Sequence, residues 1–257
     1  MAEPLQSEYF MIEKDEGVAR CSMNGPTMNA MSAETLPAMI DGLRSVLDDE
    51  EVRVIVLRGE GGNFSVGADL SIMGEKMDAT LLKQAMTMMG DIIFELHEGP
   101  KPFITEVDGW AVGGAFGLAI ASDITYATPN ARFNLSFIRI SLIPDFGGAY
   151  FLAQRTGLSN AKEIALTGRI VDAEEAYRLG FVNRIIPAEE ISAEVMKVAR
   201  KMATRAPHIL AMTKRMFNIA NKMDLKTTLD MEAHVQSINV LAPEHERDVK
   251  KFFERHS

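Results

Sequence analysis

Apolar and polar residues alternate from Tyr9 to Met23, the period of a half-buried strand, and Asp15-Glu16-Gly17 interrupts the alternation where a turn belongs. The stretch predicts two paired strands. Asn24-Gly25-Pro26 breaks the pattern, and Ser32 then stands as an N-cap, with Glu34 in the first turn, for a helix reaching about Asp49. The β-branched run Val52 to Leu57 predicts a buried strand, followed by a loop from Gly59 to Gly67. Helical spacing returns from Leu81 to His97, where methionines read as core filler and His97 as a helix-end residue before Gly99-Pro100. Phe103 to Val107 predicts a second buried strand. A glycine turn from Gly109 then leads into a helix through Ala121, with strands over Asp123 to Ala127 and Arg132 to Leu135. From Ser192 the spacing is helical to the end, over 192–204, 207–221, 225–239 and 244–255.

That order predicts an α/β chain of repeated ββα units. Residues 1–195 form the core that carries a site, and 196–257 form a helical region that packs on the core or on a neighbouring subunit. No GxGxxG follows the first strand, which argues against a dinucleotide fold. With 257 residues, 47% of them hydrophobic and 25% charged, the chain can bury a full core and has no signature of disorder.

A net charge of −9 argues against nucleic acid as a partner, while leaving room for an anionic small ligand held by backbone dipoles. The lone Cys21 cannot form an internal disulfide and reads as a packed thiol, which suits a reducing, cytoplasmic setting. MAEPLQSEYF lacks the apolar core of a signal peptide, and the run Trp110 to Ala121 is too short and glycine-interrupted to span a membrane. The histidines have no metal-ligand spacing, and no Ser-His-Asp order is present.

Chemistry concentrates in two small-residue stretches, Phe64-Ser65-Val66-Gly67-Ala68-Asp69-Leu70 and Gly109 to Gly117. Residues without a large side chain let backbone N–H groups approach a ligand, and one N–H from each stretch can hold a developing oxyanion. Tight helix–sheet packing is the plainer explanation of the glycines taken alone.

In order and spacing the chain resembles the crotonase (enoyl-CoA hydratase/isomerase) superfamily. The resemblance rests on Asn24-Gly25-Pro26 with Asn29-Ala30-Met31, Phe64 to Leu70, Lys101-Pro102 to Gly117, Ala121-Ser122-Asp123 and Ile143-Pro144-Asp145-Phe146-Gly147-Gly148. Ala165 to Arg169, Ala173 to Ala176 and Leu179 to Asn183 extend it. It implies a crotonase-like spiral of ββα units with a C-terminal helical region, assembled as a homotrimer or hexamer. It also implies an acyl-CoA thioester as substrate, with coenzyme A entering as part of that substrate and no separate cofactor. The oxyanion donors then map to the N–H groups of Ala68 and Gly114, and substrate contacts to Ser65, Val66, Gly67, Gly113, Gly117 and Phe137.

Hydratases of the superfamily add water with two glutamates, and this chain has Gly117 and Phe137 in their places. Neither transfers a proton. Asp145 is the remaining acid, and the segment Phe133 to Asp145 is similar to the PaaG-type enoyl-CoA isomerases, which use this aspartate to shuttle a proton. A cap on a helix starting at Gly147 is its alternative role. The resemblance therefore implies an enoyl-CoA isomerase; an atypical hydratase and a non-catalytic acyl-CoA binding protein are the alternatives. Asp69 and Asp123 read as loop and cap residues. Met28 replaces the basic residue common before Asn29, and Lys250 and Lys251 read as exposed helix lysines before phosphate contacts. Met73, Met77, Met86 and Met89 read as core packing, with an acyl pocket as the alternative.

Overall fold

The computed structural model describes residues 7–70, 78–220 and 222–254. Met73 and Met77 lie outside the described residues, as do the expected helix ends at 221 and 255. The strands are β1 (Phe10–Asp15), β2 (Val18–Met23), β3 (Val54–Gly59), β4 (Phe103–Val107), β5 (Trp110–Val112), β6 (Ile124–Ala127), β7 (Arg132–Asn134), β8 (Ile170–Asp172) and β9 (Arg184–Ile185). Between and after them run the single turn α1 (Pro26–Asn29) and the helices α2 (Thr35–Asp48), α3 (Ala79–Glu98), α4 (Gly114–Ile120), α5 (Gly148–Thr156), α6 (Leu158–Thr167) and α7 (Ala173–Leu179). The chain closes with α8 (Ala188–Ala203), α9 (Pro207–Ala220), α10 (Leu225–Asn239) and α11 (Pro243–Glu254).

The alternating N-terminal stretch forms the antiparallel pair β1–β2, turning through Glu16 and Gly17 at φ 49° and 80°. Beyond it β2, β3, β4, β6 and β9 pair in parallel, giving a sheet ordered β1-β2-β3-β4-β6-β9. A smaller sheet, β5-β7-β8, lies beside it. Each of β4 and β6 is followed at once by a strand of the small sheet and then by helical turns, which is the expected ββα spiral.

The parallel strands are buried on both faces, so they read as apolar runs. Ile55 and Leu57 of β3 join the larger core with Leu43, Ile92, Phe116, Phe133 and Phe181. Val54 and Val56 face the other way, onto Ile191, Val195 and Ala199 of α8. The rings of Phe116, Phe133 and Phe181 pack mutually at 5.1 to 5.3 Å between centroids, behind the second glycine stretch.

Three boundaries differ from the sequence pattern for local reasons. The strand expected from Val52 starts at Val54, because Val52 N–H closes a turn on Asp49 O (3.1 Å) while Val52 itself stays buried. The helix expected after Ser32 begins at Thr35. Ser32 Oγ accepts from the N–H groups of Glu34 and Thr35 at 3.2 Å, and Thr35 Oγ1 accepts from Ser32 N–H at 2.8 Å, a reciprocal cap. Position 195 falls inside α8, whose buried side lies on the sheet, so sheet-packed chain continues to Ala203.

Two lysines tie helices together. Lys101 Nζ donates to the carbonyls of Val46, Leu47 and Asp49 at 2.8, 2.7 and 2.6 Å, satisfying the open C-terminal end of α2. Lys214 of α9, only 4% exposed at its side chain, donates to Leu96 O, Lys101 O and Asp123 Oδ2 at 2.6, 2.9 and 2.9 Å. Asp123 also accepts from Phe103 N–H at 2.7 Å, so it fastens a loop, as its sequence context suggests. Removing one member of a buried charged cluster strands the others. Lys214→Met is expected to lower folding stability by about 3 kcal/mol, measured by urea unfolding at neutral pH; an unchanged midpoint would show the cluster to be idle.

Met89 is fully buried in the core and Met86 packs against it. Cys21 is fully buried, and burial pushes its thiol up to about 12.

Candidate active site

The site is assembled by three segments that the sequence keeps far apart. Thr27, Met28 and Asn29 of α1 turn left-handed, with φ of 54°, 56° and 59°. That turn aims Asn29 at the loop ahead of the first small-residue stretch, where Asn29 Nδ2 donates to Glu60 O and Asn63 O at 2.9 Å each. Ser65 Oγ returns a bond to Asn29 O (2.7 Å) and accepts from Gly67 N–H (3.1 Å). The stretch is then laced on both sides. Met31 N–H bonds Gly67 O and Asp69 N–H bonds Met31 O, while Ser65 N–H bonds Trp110 O and Val112 N–H bonds Ser65 O.

This lacing leaves Ala68 out. Among the described residues, Ala68 N–H has no acceptor in the backbone hydrogen-bond network, and Ala68 is exposed. Gly67 is held at φ 78°, and a Cβ placed on it would stand 2.5 Å from Val112 O and 3.7 Å from Gly113 Cα. Only glycine lets the two turns touch there.

On the other side Gly113, at φ 59°, ends β5 and donates to Asn134 O at 2.9 Å. Gly114 opens α4, and its N–H likewise has no backbone acceptor among the described residues. Phe137, on a 3-10 turn over Ser136–Ile140, is 8% exposed, and its Cζ would lie 3.6 Å from a Cβ on Gly113.

Asp145 completes the arrangement. A Cβ on Gly114 would stand 2.8 Å from Asp145 Oδ1 and 2.8 Å from Phe146 Cδ2, so the carboxylate lies directly over the glycine turn. Oδ1 is buried and has no hydrogen-bond partner among the described residues. Burial raises the carboxyl from its ordinary 3.8 to about 6, opposed only by its own backbone N–H. The alternative role, a cap on the following helix, is not taken up. Helix α5 starts at Gly148, its N-cap is Gly147 at φ 74°, no side chain caps it, and Gly148 N–H bonds the backbone O of Asp145. The carboxylate is left facing the turn.

Gly117 has no room for any side chain. A Cβ there would meet Phe146 O, Asp145 O and Gly148 N at 2.8, 3.0 and 3.1 Å, all of them backbone. The sequence-expected residues Ser65, Val66, Gly67, Ala68, Gly113, Gly114, Gly117, Phe137 and Asp145 thus come together, in different capacities. Ser65 is fully buried with N–H and hydroxyl committed to protein partners, and Val66 N–H bonds Met28 O at 3.2 Å. Sequence reading passes over Asn29 and Asn134 as anchors and Phe146 as the ring against Gly114; the doublet Gly147-Gly148 was the available signal for a sharp turn there.

Among the described residues no group of three or more His, Cys, Asp or Glu side chains could hold a metal ion. No helix among them is long and apolar enough to cross a membrane. A groove of about 620 Å³ between α9, α10 and α11, lined by Leu210, Met216 and Val235 among others, shares no residue with this site.

A sequence profile of the family described as Enoyl-CoA hydratase/isomerase matches residues 13–257. The short-chain-enoyl-CoA hydratase of Clostridium acetobutylicum is 32% identical over 234 residues, covering 89% of this chain and 88% of that protein. The 1,2-epoxyphenylacetyl-CoA isomerase of Escherichia coli is 28% identical over 256 residues, covering 97% of each. The crystal structure of an enoyl-CoA hydratase/isomerase from Cupriavidus metallidurans superposes with a TM-score of 0.87 at 30% identity, over 98% of this chain and 96% of that one.

Proposed function

The chain belongs to the enoyl-CoA hydratase/isomerase family, and within it we propose an enoyl-CoA isomerase that shifts a double bond through an oxyanion-stabilised dienolate. One observation carries this reading: a buried, unpartnered Asp145 Oδ1 over Gly114, with a glycine and a phenylalanine at the places of the hydratase glutamates. The isomerase from Escherichia coli and the hydratase from Clostridium acetobutylicum are both relatives, so kinship leaves the choice to the site.

The thioester oxygen accepts from Ala68 N–H and Gly114 N–H, one donor from each turn and each without a backbone acceptor among the described residues. As the substrate loses a proton, negative charge grows on that oxygen, and each fixed donor is worth about 3 kcal/mol to the transition state. Asp145, ionised, takes the proton from C2 of a 3-enoyl thioester. The electron pair spreads over C2, C4 and the thioester oxygen. The same carboxyl then returns the proton to C4, leaving the 2-enoyl thioester. Hydration needs a second group to activate water. Here the corresponding positions are closed by the 145–148 backbone and by Phe137.

Gly67 and Gly113 let the turns approach, Ser65 holds their geometry, and Val66 and Phe137 border the thioester. Coenzyme A enters as part of the substrate, and no further cofactor takes part. Helices α10 and α11 bury no residue, and with the turn between them they expose Leu225, Leu229, Ile238 and Leu241, apolar surface that assembly into a homotrimer or hexamer covers. The buried thiol of Cys21 suits the reducing cytoplasm.

The test is a 3-enoyl-CoA substrate followed by the ultraviolet absorbance of the conjugated product. Conversion to the 2-enoyl thioester is expected to outrun formation of any 3-hydroxyacyl thioester; faster hydration of a 2-enoyl substrate would overturn the reading. Since only ionised Asp145 accepts a proton, kcat/KM should rise about tenfold per pH unit below the value near 6 and level off above it. A flat profile from pH 5 to 8 would remove Asp145 as the base.

A further inference from the structure

Phe146 stands in a backbone conformation that bulky residues avoid. Its φ is 47°, in the left-handed region where the two glycines that follow would sit without strain. Such a conformation persists where packing over-determines it, and such places cluster at functional sites. Here the packing is visible. The ring is 8% exposed, and its Cδ2 and Cε2 would lie 2.8 and 3.2 Å from a Cβ on Gly114. The carbonyl of the same residue would lie 2.8 Å from a Cβ on Gly117. One residue therefore closes over both ends of the first turn of α4. The buried Asp145 Oδ1 meets the same point over Gly114 as the ring edge does.

Resting on the reading of Asp145 as the proton carrier, we propose that Phe146 is the positioning residue of the site. Its left-handed backbone aims the preceding carboxylate at the glycine turn, and its ring keeps water from that carboxylate. Two features fit this role better than ordinary core filling. The ring packs on a backbone glycine of the turn, whereas Phe116, Phe133 and Phe181 pack on one another behind it. Among the described residues no charged side chain bears on Asp145, and burial is what sets its environment. Phe137 covers the Gly113 side and leaves the Gly114 side to Phe146.

The test compares Phe146→Ala, Phe146→Gly and Phe146→Leu for kcat, KM and the pH profile of isomerisation. The alanine and glycine proteins are expected to lose about ten- to hundredfold in kcat with KM changed less than about threefold. Their acidic limb should move from near 6 towards the ordinary aspartate value as water reaches Oδ1. Leucine, which keeps part of the cover, should fall between these and the wild type on both readouts. If the two smaller variants fail to fold, the leucine protein decides: an unchanged kcat and an unchanged limb overturn the proposal. A loss of kcat with the limb unmoved also overturns it, since that is the signature of a merely structural ring. Asp145→Asn, run alongside, separates the failures. If it retains activity, the isomerase reading itself falls; if it is inactive while the Phe146 variants behave as wild type, only the positioning role falls.

Discussion

Asp145→Asn is expected to lower kcat for double-bond transfer by roughly 10²- to 10⁴-fold while the fold survives. The amide matches the carboxylate in shape but cannot accept the substrate proton, and among the described residues Oδ1 has no hydrogen-bond partner whose loss would unsettle the turn. Stability should respond to pH with a definite sign. The folded-state value of about 6 lies above the ordinary 3.8, so folding favours the protonated acid. That contribution is fully present below pH 3.8 and is lost as pH rises through about 6, above which a charge is held in a partly apolar place. The asparagine protein avoids that cost, which is on the order of 1–2 kcal/mol once partial exposure is allowed for. Its melting temperature relative to wild type should therefore be more favourable at pH 8 than at pH 4. Full activity would show that Asp145 is not the proton carrier, and a melting difference that runs the other way with pH would show that it is not a strained buried acid.

The second large effect concerns the missing glutamate. Gly117→Glu restores the residue type that hydratases of the family carry at this place, yet it is expected to abolish isomerisation without creating hydration. The reason is steric and local. A Cβ on residue 117 enters within 2.8 to 3.1 Å of three backbone atoms of the Asp145–Gly148 turn. That turn cannot yield without moving Asp145 away from Gly114. Overpacking at a rigid backbone contact costs about 1–3 kcal/mol or more, so the melting temperature should fall as well. Gly117→Ala makes the same contact without the carboxylate and should lose most of the activity too. A folded Gly117→Glu protein that hydrates 2-enoyl-CoA would mean that the 145–148 turn is free to move aside.

The two-fold alternation of Phe10–Asp15 and Val18–Met23 and the apolar run at Phe103–Val107 announce their strands because each spans at least a full period of its pattern. Strands β5, β8 and β9 have three, three and two residues, too few for any period, and their existence depends on neighbours brought in from elsewhere. The small-residue stretches mark the paired glycine turns in the sequence because glycine is conspicuous. What those glycines touch is not so marked. That Gly67 meets Val112 follows from the lacing through Asn29, Ser65 and Met31, and Gly114 meets Asp145 where the 145–148 backbone packs on Gly117. Asp145 as cap or as free acid could not be separated from the string Pro144-Asp145-Phe146-Gly147-Gly148, since both fit it. The sign of φ at Phe146 and Gly147 decides between them by turning the carboxylate away from α5. Backbone handedness at a non-glycine residue leaves no trace in residue type, so the turn at Phe146 is not legible in the sequence.

In the proposed mechanism one carboxylate, facing one backbone oxyanion site, carries a proton between C2 and C4. Its most direct test is isotope exchange in deuterium oxide. A 3-enoyl-CoA is incubated with wild-type and Asp145→Asn protein, and deuterium at C2 and C4 is read by mass spectrometry and NMR. Wild type should place deuterium at both positions as the 2-enoyl thioester forms, and the asparagine protein should place it at neither. Exchange by the asparagine protein at the wild-type rate, or a 3-hydroxyacyl thioester as the main wild-type product, would contradict the claim.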